Sequence, residues 1–316
     1  MTSLALAGPT ACHKSDFAPA LAERINGEIV SVDSGAVYRE MDIGAAKPDT
    51  NIRRQIPHHL IDVCAPNESF NAGMFCRLAT EAAADIVLRG KTPLFVGGTM
   101  MYFHALTRGL HDIPTPDEES RESVRLDMQK HGAKVMHKRL SELDSALAAK
   151  IAPSDSQRIA RALEVALSAK KPMSAILSEP KPKPSLSVRF VLLMPDSRDI
   201  LRESIAARLR QMFVRGLTAE TETVIKKYKL TPSSQSLRMA GYKQAAAFLR
   251  GDYDEDEMQK RAYHATCQLA KRQITWLKRW SPPLANIDPF ANDAKKKVLA
   301  AADMFNSERK ESSHRR

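Results

Sequence analysis

The sequence predicts an α/β chain: a parallel-sheet core, interrupted by an all-helical inserted domain and closed by a helical, basic C-terminal region. Three observations predict it. Strand-length apolar runs alternate with helical patterns as far as about Leu110, helix signals alone fill Ile113 to Leu177, and the alternation returns at Ser187-Val188-Arg189-Phe190-Val191-Leu192-Leu193-Met194. The expected divisions are 1–112 with 187–290 for the core and its C-terminal helices, 113–186 for the insertion, and 291–316 for a C-terminal helix with a partly disordered basic tail.

The first element carries the chemistry. Leu4-Ala5-Leu6-Ala7 reads as a strand, Gly8-Pro9-Thr10-Ala11-Cys12-His13 as a turn, and Lys14-Ser15 opens a helix. A phosphate-cradling loop needs backbone N–H groups, a positive helix end behind them, and a Lys with a Ser or Thr for phosphate oxygens and metal. Gly8, Lys14 and Ser15 have the P-loop spacing, with His13 where the second glycine stands. The core is therefore expected to be P-loop NTPase-like; an ordinary strand-turn-helix is the other reading of this stretch alone.

Asp16 to Asn26 has apolar residues at helical spacing, with Gly27 as its expected C-terminal cap. Glu28-Ile29-Val30-Ser31-Val32-Asp33 is a β-branched strand ending in an acid. In an open parallel sheet the carboxyl ends of strands face the ligand crevice, which sets Asp33 beside the phosphate loop, although a helix-capping role fits Asp33-Ser34 equally well. Tyr38 to Pro48 reads as a loop, and Pro57-His58-His59-Leu60-Ile61-Asp62-Val63 as a short strand. Adjacent His58 and His59 on a strand face opposite ways, so structural histidine is favoured over a metal site. A helix from about Asn71 to Arg89 precedes the strand Pro93-Leu94-Phe95-Val96-Gly97-Gly98-Thr99. Its paired glycines allow close approach of another group, with Thr99 placed either to bond that group or to cap the next helix.

Within the insertion, Gln157-Arg158-Ile159-Ala160-Arg161 sets basic groups on neighbouring turns, a solvated face or a phosphate-gripping one. Further on, Arg238-Met239-Ala240-Gly241-Tyr242-Lys243 interrupts two helical runs, and Met258 to Trp280 forms a helix carrying Lys271 and Arg272 among its tryptophans. Basic residues interleaved with Trp suit RNA; an amphipathic helix with snorkelling Lys and Arg explains the spacing equally well. Ser307 to Arg316 is expected to be disordered.

Composition narrows the class. At 316 residues, 43% hydrophobic and 27% charged, the chain reads as a soluble globular protein. No apolar run reaches membrane-helix length and no signal-peptide pattern opens the chain, so cytoplasmic residence is expected. Cys12, Cys64, Cys76 and Cys267 are dispersed, which indicates free thiols and neither zinc nor a disulfide framework. A net charge of +11 points to a polyanionic partner or to a basic, solvated surface.

The loop Gly8-Pro9-Thr10-Ala11, Asp33-Ser34 through Tyr38, Met41-Asp42-Ile43-Gly44 with Ala46-Lys47-Pro48, Pro57 to Asp62, Gly97-Gly98-Thr99-Met100, Arg158 to Glu164, Gly241-Tyr242 and Ala270 to Trp276 occur in one order. In that order they resemble the bacterial tRNA dimethylallyltransferase (tRNA isopentenyltransferase) family from about residue 4 to about residue 280. The resemblance implies transfer of a dimethylallyl group from its diphosphate to N6 of the adenosine just 3′ of the anticodon, in tRNAs reading U-initial codons. It implies Asp33 as the base and Thr99 as an orienting group. Gly8, Thr10, Ala11, Cys12, His13, Lys14 and Ser15 would bind the donor diphosphate, with Mg²⁺ held by the Ser15 hydroxyl. RNA contacts would fall on Asp33, Ser34, Gly35 and Ala36, on Arg121, on Gln157 to Arg161, and on Arg238 to Lys243. The insertion would then be a mobile arm for the anticodon stem, and a monomer is expected. His13, where this family has glycine, would either donate to the diphosphate or weaken its binding. A small-molecule P-loop kinase and a tRNA-binding protein with catalysis impaired by His13 are the alternatives.

Overall fold

In the computed structural model, residues 2–182, 184, 186–280 and 282–314 are described. The chain divides into two compact units, Met1–Thr107 with Pro184–Arg316, and Arg108–Lys183.

The first unit is built on β1 (Thr2–Ala7), α1 (Lys14–Arg24), β2 (Gly27–Val32), α2 (Thr50–Gln55), β3 (His58–His59), α3 (Ala72–Leu88), β4 (Thr92–Gly97) and α4 (Met100–Arg108). The second unit holds α5 (Glu118–Leu143), α6 (Ser145–Ala148), α7 (Ser156–Ala169) and α8 (Met173–Leu177). The first then resumes with β5 (Ser187–Leu193), α9 (Arg198–Val214), α10 (Leu217–Tyr228), α11 (Tyr242–Leu249), α12 (Glu255–Leu277), β6 (Ala285–Ile287) and α13 (Ala294–His314).

Among the described residues the six strands form one parallel sheet in the order β3-β2-β4-β1-β5-β6. β1 is central and buried along Ser3–Ala7, paired with β4 at Ala7↔Gly97 and with β5 at Ala7↔Leu192. Its apolar run is thus that of a strand covered on both faces. The parallel register brings Gly8, Asp33, Gly98 and Met194 to one end of the sheet, the carboxyl end where open α/β sheets bind ligands.

Several local expectations are corrected. Gly27 opens β2 instead of capping α1; the left-handed residue is Asn26 (φ 48°). A Cβ at Gly27 would stand 2.7 Å from Thr92 O, which is why a glycine begins that strand. The strand expected over 57–63 stops after two residues because Leu60 and Asp62 turn to φ 63° and 60°. The basic helix begins at Glu255, since Asp254 accepts from Glu257 N and three acids in the first turn complement the dipole. β6 escapes a periodicity argument at three residues. Residues 307–314, expected as a disordered tail, continue α13, whose Val298, Ala301, Ala302 and Phe305 are buried; Arg315 and Arg316 lie outside the described residues.

The second unit has its own small core around Val124, Met136, Leu140, Ile159 and Leu163. Gly132 (φ 75°) breaks α5, and buried Asp144 accepts from Leu147 N and Ser174 N. Gly109 lies against Pro182: a Cβ there would be 2.4 Å from the proline carbonyl oxygen. The two ends of this unit therefore run side by side. Among the described residues no helix is long and apolar enough to cross a membrane.

Candidate active site

The loop after β1 is shaped by tight packing. A Cβ on Gly8 would sit 2.9 Å from that of Leu193, so only glycine leaves the strand here. Ala11 (φ 60°) and His13 (φ 54°) both adopt left-handed backbone, and Ser204 Oγ donates to Ala11 O at 2.9 Å. Among the described residues the N–H groups of Ala11, Cys12 and His13 have no partner in the protein. With the unpaired amides of the first turn of α1, they make an anion-receptive end. Thr10 departs from the expectation for the loop: its N–H is already given to Gln273 Oε1 at 2.9 Å.

Lys14 folds back over this loop and donates to Pro9 O at 2.6 Å. Burial, aided by the charge of Arg208, pulls its ammonium down to about 8. Burial pushes the Cys12 thiol up to about 12, so it stays protonated beside that lysine. His13 has its Nδ1 2.7 Å from Asp16 Oδ2, and its ring meets Phe290 edge-on at 5.4 Å between centroids and Phe17 at 6.3 Å.

Asp33 follows β2. Its Oδ1 accepts from Gly35 N at 2.7 Å and Ala36 N at 3.3 Å, a turn that fixes the carboxylate, while Oδ2 has no partner among the described residues. Lys14, Ser15 and Asp33 line one cavity, joined by Lys47 and by apolar wall residues including Ile29 and Ala45. Thr99 Oγ1 accepts from Ser34 N at 3.0 Å, so its hydroxyl is tied to the Asp33 turn, and its carbonyl caps α4.

Three contributors were not legible as site residues. Arg208 on α9 interacts electrostatically with Asp33, Asp16 and Cys12, and burial lowers its pKa. It has no hydrogen-bond partner among the described residues. The available signal was its spacing: it lies seven residues after Leu201 and three after Ile205, on the buried stripe of its helix. Glu220 accepts from Asp42 N (2.9 Å), Ile43 N (2.8 Å) and Gly44 N (3.3 Å) and receives the Tyr242 hydroxyl, clamping the loop whose next residues wall the cavity. Lys47 secures the far side of that loop through Tyr38 O, Asp42 and Asp62. Gln273 is the third, after Arg208 and Glu220.

The candidate RNA residues divide by exposure. Arg238, Lys243, Lys271 and Arg272 are exposed on the first unit. Tyr242 is fully buried, its hydroxyl given to Glu220, and its ring fills the space a Cβ on Gly44 would occupy. Gly241 is buried as well, and Met239 packs on Gly35. In the second unit Gln157 and Arg158 are exposed and Arg161 is half-buried near Glu164 and Arg121. Ile159 belongs to that unit's core, with Ala160 packed on it. Tyr242 and Ile159 thus shape the surfaces that their neighbours present, and their side chains are not available to RNA. Among the described residues no cluster of three His, Cys, Asp or Glu stands ready for a metal. Ser15, exposed and with its Oγ unpartnered among the described residues, lines the cavity that Asp33 also lines and suits a cation that keeps most of its waters and takes substrate phosphate oxygens.

A parallel sheet whose central strand runs into a loop of unpaired amides ending in Lys14 and Ser15, with the Asp33 carboxylate lining the same cavity, defines a P-loop-like group-transfer protein. The chain matches the family model for IPP transferases over residues 36–280, and it belongs to the IPP transferase family. The tRNA dimethylallyltransferase of Thiobacillus denitrificans is 42% identical over 295 residues, covering 93% of this chain and 94% of its own. That of Burkholderia ambifaria is 44% identical over 302 residues, 94% and 93%. Among solved structures, the tRNA isopentenylpyrophosphate transferase of Bacillus halodurans gives a TM-score of 0.71 at 31% identity over 99% of this chain and 98% of that one. A eukaryotic dimethylallyltransferase acting on tRNA gives 0.80 at 25% identity, over 97% and 80%.

Proposed function

We infer that this protein is a tRNA dimethylallyltransferase, moving a dimethylallyl group from its diphosphate to N6 of the adenosine 3′ of the anticodon. One observation carries the site assignment: Asp33, Lys14 and Ser15 line a single cavity at the carboxyl end of the sheet. The exocyclic amine attacks C1 of the prenyl group, the C–O bond to the diphosphate breaks, and the amine proton passes to Asp33. Held through Oδ1 by two amides, Asp33 keeps Oδ2 for that proton. Charge gathering on the leaving diphosphate is met by the amides of Ala11 to Ser15, by Lys14 and by Arg208. Mg²⁺ on Ser15, when bound, would neutralise part of that charge.

An adenine stacked in an anticodon loop cannot reach such a cavity, so it is flipped out at a cost of a few kcal/mol, offset by contacts to the stem. Arg238, Lys243, Lys271 and Arg272 on the first unit, and Arg121, Gln157, Arg158 and Arg161 on the second, supply basic and polar groups for those contacts. The test is incubation with dimethylallyl diphosphate, Mg²⁺ and unmodified tRNA, followed by mass spectrometry of nucleosides. N6-dimethylallyladenosine is expected from the native protein. Asp33→Asn is expected to lower kcat by about 10²- to 10⁴-fold with tRNA affinity kept, as loss of a general base does. A fully active Asp33→Asn protein would remove Asp33 from the role.

A further inference from the structure

We propose that Gln273, on α12, is a positioning residue of the donor site, holding the phosphate loop at a fixed distance from the turn that carries Thr99. The inference rests on the assignment of that loop to the donor diphosphate.

β1 and β4 pair as far as Ala7↔Gly97, and the last direct bond between their continuing chains runs from Gly8 N to Gly97 O at 3.3 Å. Past it Gly8 and Gly98 still touch, a Cβ on Gly98 standing 3.1 Å from Gly8 O, but among the described residues no direct hydrogen bond joins Thr10 to the Gly98 turn. Gln273 bridges the gap: its Oε1 accepts from Thr10 N at 2.9 Å and its Nε2 donates to Gly98 O at 2.7 Å. The carboxamide thus offers one acceptor and one donor between two loops, as a further strand residue would. The side chain is 7% exposed, so water does not replace it. Gly98 is shaped to it, because a Cβ there would stand 2.5 Å from Nε2.

What the bridge joins gives it a role. Gly98 precedes Thr99, whose hydroxyl takes the Ser34 N–H, next to Asp33. A continuous path therefore leads from Thr10 through Gln273, Gly98, Thr99 and Ser34 to the acid. The leaving group is received at one end of that path and the proton at the other. Displacement by an ångström between such groups is costly for a displacement reaction. Gln273 touches neither substrate; it sets the separation of the groups that do.

Gln273→Met keeps the length of the side chain and removes both bonds. The expected result is a rise of about tenfold in KM for dimethylallyl diphosphate and in the Kd for Mg²⁺-pyrophosphate by calorimetry, with KM for tRNA within about twofold. Gln273→Glu adds a readout that packing alone would not move. Protonated, the new carboxyl restores both an acceptor and a donor; ionised, it opposes Gly98 O and repels the diphosphate. Burial raises such a carboxyl's pKa. Its pyrophosphate affinity relative to the native protein is therefore expected to recover at least about fivefold between pH 8 and pH 5.5. Donor KM within twofold of native for Gln273→Met, an equal rise in both KM values, or a flat pH ratio for Gln273→Glu would each overturn the proposal. If Gln273→Met does not fold, the Gln273→Glu ratio decides. Pyrophosphate binding needs neither tRNA nor turnover, so a native protein that binds it yet prenylates nothing would count against the reaction, not against Gln273.

Discussion

At the loop, a lysine is held where it is least comfortable. Lys14 is enclosed, and its ammonium titrates near 8 against an ordinary 10.5. The folded chain then binds fewer protons than the unfolded one between about 8 and 10.5, so this group makes stability rise with pH across that window. Lys14→Met is expected to raise the midpoint of thermal unfolding at pH 7 by a few degrees while raising donor KM by about a hundredfold, read by calorimetry and steady-state kinetics. Donor KM of the native protein is expected to climb as pH passes about 8, where the free lysine loses its charge. His13 behaves differently. Its ring is engaged by Asp16, Phe17 and Phe290, so His13→Gly is expected to leave donor KM within about twofold. Stability should also change little. Relief of a left-handed non-glycine residue, of order 1 kcal/mol, offsets loss of an edge-on ring contact of about the same size. A large change in KM would place the imidazole on the diphosphate after all.

Between elements, the cavity wall depends on a carboxylate far from the chemistry. Glu220 gathers three successive amides of the loop at Asp42 to Gly44 and one phenol from α11. Glu220→Gln replaces a charged acceptor with one that carries donors into that nest, at a cost of about 1–3 kcal/mol. It is expected to loosen residues 45–48, detectable as faster amide exchange there, with a rise in donor KM and tRNA affinity retained. Protection unchanged at 45–48 would refute the clamp.

Strands and the acid at the end of β2 were legible because each is written in consecutive residues: a β-branched run, an acid that closes it, a Gly at a strand exit. Glu220, Arg208 and Gln273 were not, since each acts on a segment distant in the chain; Thr10 and Gln273 alone are separated by 263 positions. Length set another limit. His58–His59 and Ala285–Ile287 are too short for periodicity to register. The burial of Tyr242 and Ile159 was hidden for a related reason, because a matching motif does not say whether a side chain faces outward. Tyr242 is needed for its ring and hydroxyl inside the fold.

Over the whole molecule, two separate cores and the adjacent ends at Gly109 and Pro182 make the second unit removable. A chain with 110–181 replaced by a short Gly/Ser linker is expected to fold, to bind Mg²⁺-pyrophosphate within about threefold of the intact protein, and to lose most of its affinity for tRNA. Failure of that chain to fold, judged by circular dichroism and thermal melting, would show that the cores depend on one another. In the intact protein log Kd for tRNA should rise steeply with log salt, and Arg158→Ala and Lys271→Ala should each flatten that slope by roughly one if each meets a phosphate.

The sheet order also has a bearing on how the protein is made. Central β1 gains its second partner only from β5, at Thr2↔Ser187 to Ala7↔Leu192, and α1 is covered by α13 through Arg24 with Asp303 and Asn306. A ribosome delivers β5 long after β1, and α13 later still. The turn between β1 and α1 can therefore set only once residues 187–192 and 303–306 have been made, so nascent chains that stop short of them should be inert and vulnerable to proteases.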